Sequence, residues 1–433
     1  MRDLFVAAVV FGSIPFILKR PWLGILMWSW LGYMNPHRLA WGFVTTMPVA
    51  LIIALTTFAA ILLAKEKKEI PWTRETVLLL IFTGWMFVST LLAQYPGMAW
   101  PQWDKVWRII LMTYVTMMLI TDRQRVHWLV VVIALSIGFY GFKGGVFILT
   151  GGSGNNVMGP SGSFIADRNS VGLALIMIVP LLWYVRLQTE NYWLRLGLLG
   201  GGALTLIAII GTNSRGALLG LVAMGFFFLM KARNRFGIIM ALIPVILVVL
   251  YVMPPEWFER MHTIETYEED ASAMGRLYAW GNAITLANMF FFGGGFRAVT
   301  GFGGTDSHSN WFGVLGELGW VGLAMFVLLH VFTWLSAAQI MRWAKPHESL
   351  RWARDLAAMV QVSLIGYMSA GSFLGLQYFD LFYHLIAIIV ITKMLVQKEL
   401  DALRGRGAVM RADTPDGAAG ARPLRGRGEF SAR

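Results

Sequence analysis

The sequence contains no cysteine and few charged side chains. Of its 433 residues, 14% are charged and 57% are hydrophobic. The absence of cysteine excludes disulfides, thiolate metal ligands and a cysteine nucleophile of the sortase type. The shortage of charge excludes an ordinary soluble domain, because too few polar side chains remain to cover a water-exposed surface. The lipid bilayer is therefore the expected solvent.

Apolar segments recur along nearly the whole chain. The first two are too short to cross about 30 Å of hydrocarbon at about 1.5 Å per residue, so they form either two spans or one re-entrant hairpin. The sequence thus predicts an all-α, polytopic integral membrane protein with about 12 transmembrane helices, in a range of about 11 to 13. The segments lie at residues 3–18, 22–35, 43–64, 75–94, 104–121, 127–150, 169–187, 193–210, 216–230, 236–253, 310–340, 356–374 and 376–395.

Basic residues cluster in alternate loops, and these loops are expected to be cytoplasmic. The formal net charge of +12 is therefore interpreted as a topology signal and not as a nucleic-acid surface. The opposite loops are expected in the periplasm, and the longest of these is 254–309. Residues 1–396 are predicted to form the transmembrane catalytic domain, and residues 397–433 a basic, disordered cytoplasmic tail. The basic loop residues are Lys65, Lys67, Lys68, Arg123, Arg125, Lys231, Arg233, Arg235, Arg342, Lys345, Arg351 and Arg354.

Four arginines break this pattern by mapping to the loops expected in the periplasm: Arg168, Arg215, Arg276 and Arg297. A single arginine there is explained by interfacial snorkelling or by an ion pair with a nearby carboxylate. Several together favour an anionic ligand, because guanidinium groups bind phosphate oxygens bidentately and remain charged. Arg215 is the most informative, since it stands in a small-residue break between two apolar runs. The sequence predicts a pyrophosphate clamp that needs no metal.

His308 is the candidate general base. It precedes the apolar run that begins at Asn310, and a histidine near pH 7 can take a proton from an attacking hydroxyl. The alternative is a structural role, since Ser309 and Asn310 are natural helix caps. Glycines 293–295, 301, 303 and 304 form either a flexible turn beside the membrane or a segment whose backbone amides approach an anion. The acidic run between Glu256 and Asp270 lacks the spacing of a metal site, so neither a metal nor a cofactor is expected.

Several motifs together resemble the Wzy and WaaL superfamily of O-antigen polymerases, O-antigen ligases and protein O-oligosaccharyltransferases. The resemblance covers most of the chain, and the stretch from His308 to Gly319, followed by Gly322, is its most specific part. The other motifs are Gly162–Asn169 with Ile178-Val-Pro180, Asn213-Ser-Arg-Gly216 and Gly275–Trp280.

This resemblance implies an O-antigen ligase at the periplasmic face of the bacterial inner membrane. Such an enzyme moves a glycan from undecaprenyl pyrophosphate to lipid A-core during lipopolysaccharide synthesis. By this resemblance, His308 acts on the acceptor, and Arg215 and Arg276 bind the pyrophosphate. Weaker correspondences give substrate-binding roles to Arg297, Lys143, Arg168 and Asn169.

The acceptor stays open at this point. The versions of Lys143-Gly-Gly145 and Phe164–Asn169 found here resemble a branch of O-glycosylation ligases associated with exosortase systems. A polymerase or a protein O-oligosaccharyltransferase would use the same donor. A lipid-linked glycan transporter is the non-enzyme alternative, but it would place ionisable residues along a path through the membrane midplane and not at one face.

Overall fold

The computed structural model describes residues 1–65, 68–232, 234–255, 257 and 271–412, and within this part of the chain every regular element is helical. The α-helices are α1 (Arg2–Lys19), α2 (Trp22–Met34), α3 (Val49–Leu63), α4 (Arg74–Leu91), α5 (Pro96–Leu119), α6 (Arg123–Leu149), α7 (Arg168–Gln188), α8 (Tyr192–Ile210), α9 (Arg215–Lys231), α10 (Arg235–Val252), α11 (Ala271–Met289), α12 (Ala298–Gly303), α13 (Asn310–Ala344), α14 (Arg351–Ala370) and α15 (Asp380–Ala412).

The predicted all-α membrane architecture is confirmed in its main outline. Every predicted apolar segment coincides with a helix, and among the described residues seven helices are long and apolar enough to cross a bilayer. The count of about 12 spans therefore stays a prediction. The helices that satisfy both criteria are α4, α6, α7, α8, α10, α13 and α15, the last over Asp380–Gly405.

Three boundaries differ from the sequence prediction. Helix α3 begins only at Val49, because Pro48 and the preceding 3-10 turn Phe43–Thr45 delay its start. Helix α5 begins at Pro96, so most of the expected 95–104 loop is helical. The segment 254–309, expected as one long loop, contains α11 and α12, and every acidic residue of its acidic run lies outside the described residues.

Residues 397–412, which the sequence analysis assigns to the tail, continue α15. Leu400 is buried, so the helix keeps an apolar contact with the body of the protein beyond the predicted boundary. The Ser349 hydroxyl donates to Glu399 Oε1 at 2.7 Å and fixes this extension to the start of α14. Residues 413–433 lie outside the described residues.

Helices α4, α13 and α15 are joined by a buried polar cluster. The Glu75 carboxylate accepts a hydrogen bond from Ser336 Oγ at 2.5 Å and forms an ion pair with Arg74 at 3.0 Å. Lys393 Nζ donates to the same Ser336 hydroxyl at 3.1 Å. A buried carboxylate is costly unless it is paired and hydrogen-bonded, so these contacts determine how the three helices pack.

Described parts of the connections expected in the periplasm contact one another at one end of the bundle. Residues 92–95 contact the turn after α11, since Gln94 N donates to Gly294 O at 2.9 Å. Contacts at the other end include Arg123 over the Trp352 ring, at 5.5 Å from its centroid, and Lys231 over the Trp334 ring at 5.9 Å. The end that holds 92–95 also holds the candidate site.

Helix α13 is kinked at Gly319, which has φ 72° and ψ −177°. This backbone conformation is essentially restricted to glycine. A Cβ at this position would also lie 2.5 Å from the Phe291 carbonyl oxygen. Only glycine therefore fits at the kink, and α13 consists of a short first segment and a long second one.

The kink frees three helix carbonyls, and each finds another donor, as buried backbone groups require. The donors come from α4 and from the turn at residues 293–295. The hydrogen bonds are Gly294 N to Gly316 O at 2.9 Å, Gly295 N and Ser89 Oγ to Glu317 O at 3.0 and 2.8 Å, and Trp85 Nε1 to Leu318 O at 2.8 Å.

Candidate active site

The connection between α14 and α15, residues 371–379, lies at the centre of the candidate site, and we call it the 371–379 loop. It is fixed to the start of α13 by Asn310. The Asn310 backbone N–H donates to Gly371 O at 2.7 Å, and its side-chain Oδ1 accepts from Leu376 N at 2.6 Å. Asn310 is buried, so these bonds hold the loop beside the residues that precede α13.

His308 lies directly against this loop. The backbone of His308 has φ 45°, and its N–H donates to Asp306 Oδ1 at 3.2 Å. A Cβ placed on Gly375 would lie 3.8 Å from His308 Cα. The helix cap is Ser309, whose hydroxyl accepts from Phe312 N, and within the described part of the chain the exposed His308 imidazole makes no hydrogen bond. The ring is therefore available to a ligand.

Trp280 connects α11 to His308. Its Nε1 donates to the Ser307 carbonyl at 2.9 Å, and its ring stacks on Phe312 at 4.7 Å between centroids. Arg276 lies one helical turn before Trp280, on the same face of α11, and is half-buried. The helix thus brings Arg276 to the side of the bundle that carries His308.

Arg215 is the first residue of α9, and Ser214 caps this helix through Ala217 N. The next residue, Gly216, packs so closely on the 371–379 loop that a Cβ there would lie 2.9 Å from Phe373 Cβ. The Phe373 ring also lies 6.4 Å from the Trp280 ring. Arg215, Arg276 and His308 therefore flank one loop, although they come from three separate parts of the sequence.

Arg168 and Asn213 share one acceptor. Asn156 Oδ1 accepts from Arg168 Nη1 at 3.3 Å and from Asn213 Nδ2 at 2.9 Å. Asn213, which lies two residues before Arg215, has φ 52°. The shared acceptor connects the N-termini of α7 and α9 and brings Arg168 toward the same region. Asn169 is half-buried, and its backbone N–H donates to the α7 cap Asp167 at 2.9 Å.

Arg297 is attached to the site through its backbone. It is exposed, has φ 60°, and its N–H donates to Glu317 Oε1 at 2.7 Å. The other carboxylate oxygen, Oε2, accepts from the Tyr378 hydroxyl at 2.7 Å. Burial, together with the Glu317 carboxylate, holds the pKa of Tyr378 well above its ordinary value, so its phenol stays a donor.

Two parts of the sequence interpretation change. The amides of glycines 293–295 all donate to backbone carbonyls, to Phe290 O, Gly316 O and Glu317 O, so this turn is structural and the anion-binding alternative is wrong for these three glycines. Lys143 is exposed on α6, and within the described residues its side chain forms no hydrogen bond or ion pair. Its neighbour Gly145 provides close packing, since a Cβ there would lie 2.3 Å from the Leu204 carbonyl oxygen in α8.

Four site residues have no role in the sequence interpretation: Asn156, Trp280, Glu317 and Tyr378. The sequence gives little indication that these residues belong to the site, because three are uncharged and one is a single acid in an apolar helix. The motifs Gly275–Trp280 and His308–Gly319 contain two of them, but only the fold shows their partners. Among the described residues, no three His, Asp or Glu side chains are grouped to hold a metal ion.

Two family models match separate parts of the chain. Residues 1–189 match a family of unknown function (DUF5935), and residues 200–327 match the O-antigen ligase family. No curated protein matches significantly. The first match contains Lys143, Arg168 and Asn169, and the second contains Arg215, Arg276, Arg297 and His308. The apolar helices and the second match together indicate a multi-pass membrane protein of the glycosyl-transfer class. The match over residues 200–327 confirms the predicted resemblance to the Wzy and WaaL superfamily.

Proposed function

We propose that this protein is an O-antigen ligase that moves a glycan from undecaprenyl pyrophosphate to lipid A-core at the periplasmic face of the bacterial inner membrane. The observation that carries the proposal is the position of Arg215, Arg276 and His308 around the 371–379 loop. Two cationic side chains and one general base are the groups that transfer from a lipid pyrophosphate requires.

The reaction is a single displacement. An acceptor hydroxyl attacks the anomeric carbon of the lipid-linked sugar, and His308 takes the hydroxyl proton. The bond from the anomeric carbon to the pyrophosphate oxygen breaks, so the configuration inverts and undecaprenyl pyrophosphate leaves. Arg215 and Arg276 stabilise the charge that develops on the leaving group, in place of a divalent metal.

The other candidate residues have supporting roles in this scheme. Arg168 and Arg297 add positive charge at the rim of the site, and Asn169 lies beside the Asp167 cap. Lys143 is the weakest member, because it is exposed on α6 and its local sequence pattern is less distinctive. Removing one preorganised donor typically lowers turnover by about 10² to 10³. Arg215→Ala and Arg276→Ala are expected in that range, and Lys143→Ala near the wild-type rate.

The test is transfer by purified, reconstituted protein supplied with undecaprenyl-pyrophosphate glycan and lipid A-core in excess chelator. Wild type should form modified lipopolysaccharide, and His308→Ala should not. His347→Ala is the matched control, because His347 lies in the connection between α13 and α14 at the other end of the bundle. Equal product from wild type and His308→Ala would remove the base assignment. If wild type were inactive in chelator and became active only after a divalent metal was added, the metal-independent mechanism would be overturned.

The same assay separates the alternatives. Transfer to a growing glycan or to a protein hydroxyl, with none to lipid A-core, would identify a polymerase or a protein O-oligosaccharyltransferase. Movement of intact lipid-linked glycan across the bilayer, without transfer, would identify a transporter.

A further inference from the structure

An apolar groove lies between α1, α2 and α6, on the half of α6 that is distant from the candidate active site. Its volume is about 530 Å³, and its lining is almost entirely apolar. Helix α2 contributes Leu23, Leu26 and Trp30, and helix α6 contributes Trp128, Val132 and Phe139. The spacing of these residues follows one face of each helix, so the groove runs along the helix axes.

A small polar cavity of about 250 Å³ lies where this groove begins, at the turn between α1 and α2 and the first turn of α6. We call it the basic cup, and Arg20, Trp22, Asp122, Gln124 and Arg125 line it. Its two arginines and one aspartate leave one net positive charge. Arg20 is exposed and forms no ion pair within the described part of the chain.

Arg125 is held in position at the other side of the cup. Its Nε lies 2.9 Å from Asp122 Oδ2, and its guanidinium lies 5.6 Å from the Trp22 ring centroid. The Asp122 carboxylate is thus neutralised by Arg125, and Arg20 supplies the excess charge. A ligand for this cup is anionic.

The cup and the groove are lined by neighbouring residues of the same two helices. Leu23 directly follows Trp22, and Trp128 lies one helical turn after Arg125. From Trp128 to Phe139 the groove extends about 16 Å along α6, at about 1.5 Å per residue. One leaflet of a bilayer has a hydrocarbon depth of about 15 Å. The groove therefore has the length of one leaflet, with an anion-binding site at the level of the headgroups.

We propose that the basic cup and the groove together bind one anionic glycerophospholipid. The headgroup phosphate contacts Arg20 and Arg125, one acyl chain lies along Leu26 and Val132, and the exposed Trp128 lies at the interface, where tryptophan is enriched. The lipid-linked glycan donor does not fit this arrangement, because its pyrophosphate must reach Arg215 at the other end of the bundle.

The experiment is native mass spectrometry of the purified full-length chain, titrated with phosphatidylglycerol or with phosphatidylcholine of the same acyl chains. Wild type should bind one phosphatidylglycerol more tightly than phosphatidylcholine. Arg20→Gln should raise the apparent Kd for phosphatidylglycerol about fivefold, the effect of one arginine near a membrane surface, and raise that for the zwitterionic phosphatidylcholine less. Lys345→Gln removes one charge at the same end outside the cup and should change neither value.

The groove is tested by Val132→Trp, which fills it and should weaken both lipids. Val146→Trp, on an exposed position of α6 outside the groove, is its control. Equal binding of the two lipids by wild type, or equal effects of Arg20→Gln and Lys345→Gln, would overturn the proposal. Arg20 is exposed, so its substitution tests the cup even if Val132→Trp does not fold.

Discussion

The Glu317 carboxylate joins Arg297 to Tyr378. It accepts one hydrogen bond from the Arg297 backbone N–H and one from the Tyr378 hydroxyl, each at 2.7 Å. Glu317 is buried, and so is Tyr378. One side chain therefore fixes both the turn before α12 and the 371–379 loop.

Glu317→Gln should destabilise the protein by about 1–3 kcal/mol, because one of the two buried donors loses its carboxylate acceptor. Tyr378→Phe should also destabilise, and the double variant should cost less than the sum of the two single changes. Melting temperatures of the purified variants measure this, with the exposed Glu348→Gln as control. Strict additivity would show that the two side chains are not coupled.

Asn156→Ala should weaken donor binding more than turnover. The substitution removes the shared acceptor that positions Arg168 and Asn213, so the apparent KM for the lipid-linked donor should rise about tenfold, as for one lost charge-assisted hydrogen bond. The neighbouring Asn155→Ala is the matched control, because the Asn155 side chain is exposed and makes neither contact. Indistinguishable KM values for the two variants would contradict the role of Asn156.

Trp280→Phe should reduce turnover by about tenfold to a hundredfold while keeping most of the stability. The phenyl ring can still stack on Phe312, but the donor to the Ser307 carbonyl is lost, and small misplacements of a catalytic group cost rate steeply. Steady-state transfer rates test this, with the exposed Trp193→Phe as control. A wild-type rate would show that His308 does not depend on Trp280.

Gly319→Ala should destabilise the protein by about 1–3 kcal/mol or more, through backbone strain and the contact with the Phe291 carbonyl. Gly138→Ala in α6 should be neutral or stabilising, because a Cβ there meets Leu182 at an ordinary 3.6 Å and alanine favours a helix. The melting temperature should fall for Gly319→Ala and stay the same or rise for Gly138→Ala. A small effect at Gly319 would mean that the kink can straighten.

The sequence predicts the helices well where apolar residues run without interruption, as in α6 and α13. The sequence does not predict helix α11, because Ala271–Met289 mixes Arg276 and Asn282 with small residues and does not resemble a transmembrane span. It does not predict the kink at Gly319 either, since a glycine in an apolar run is compatible with a straight membrane helix.

Some residues of the candidate site can likewise be predicted from the sequence, and others cannot. Arg168, Arg215, Arg276 and Arg297 are visible in the sequence because a positive charge in these loops is unusual. Asn156 and Tyr378 are not, because a neutral hydrogen-bonding group acquires its role only from partners far along the chain. The sequence predicts the 371–379 loop only as a short break between two apolar segments, although the loop contacts Gly216, Trp280 and Asn310.

The short first segment of α13 is fixed at both ends, by the bond of Asn310 to Gly371 O and by the kink at Gly319. This segment of nine residues, about 14 Å long, therefore sets the distance between His308 and the turn at 293–295. Inserting or deleting one residue within it would rotate Glu317 by about 100° about the helix axis and separate it from Tyr378. Substitutions can therefore change side chains along this segment, but a change in its number of residues would separate the groups that form the site.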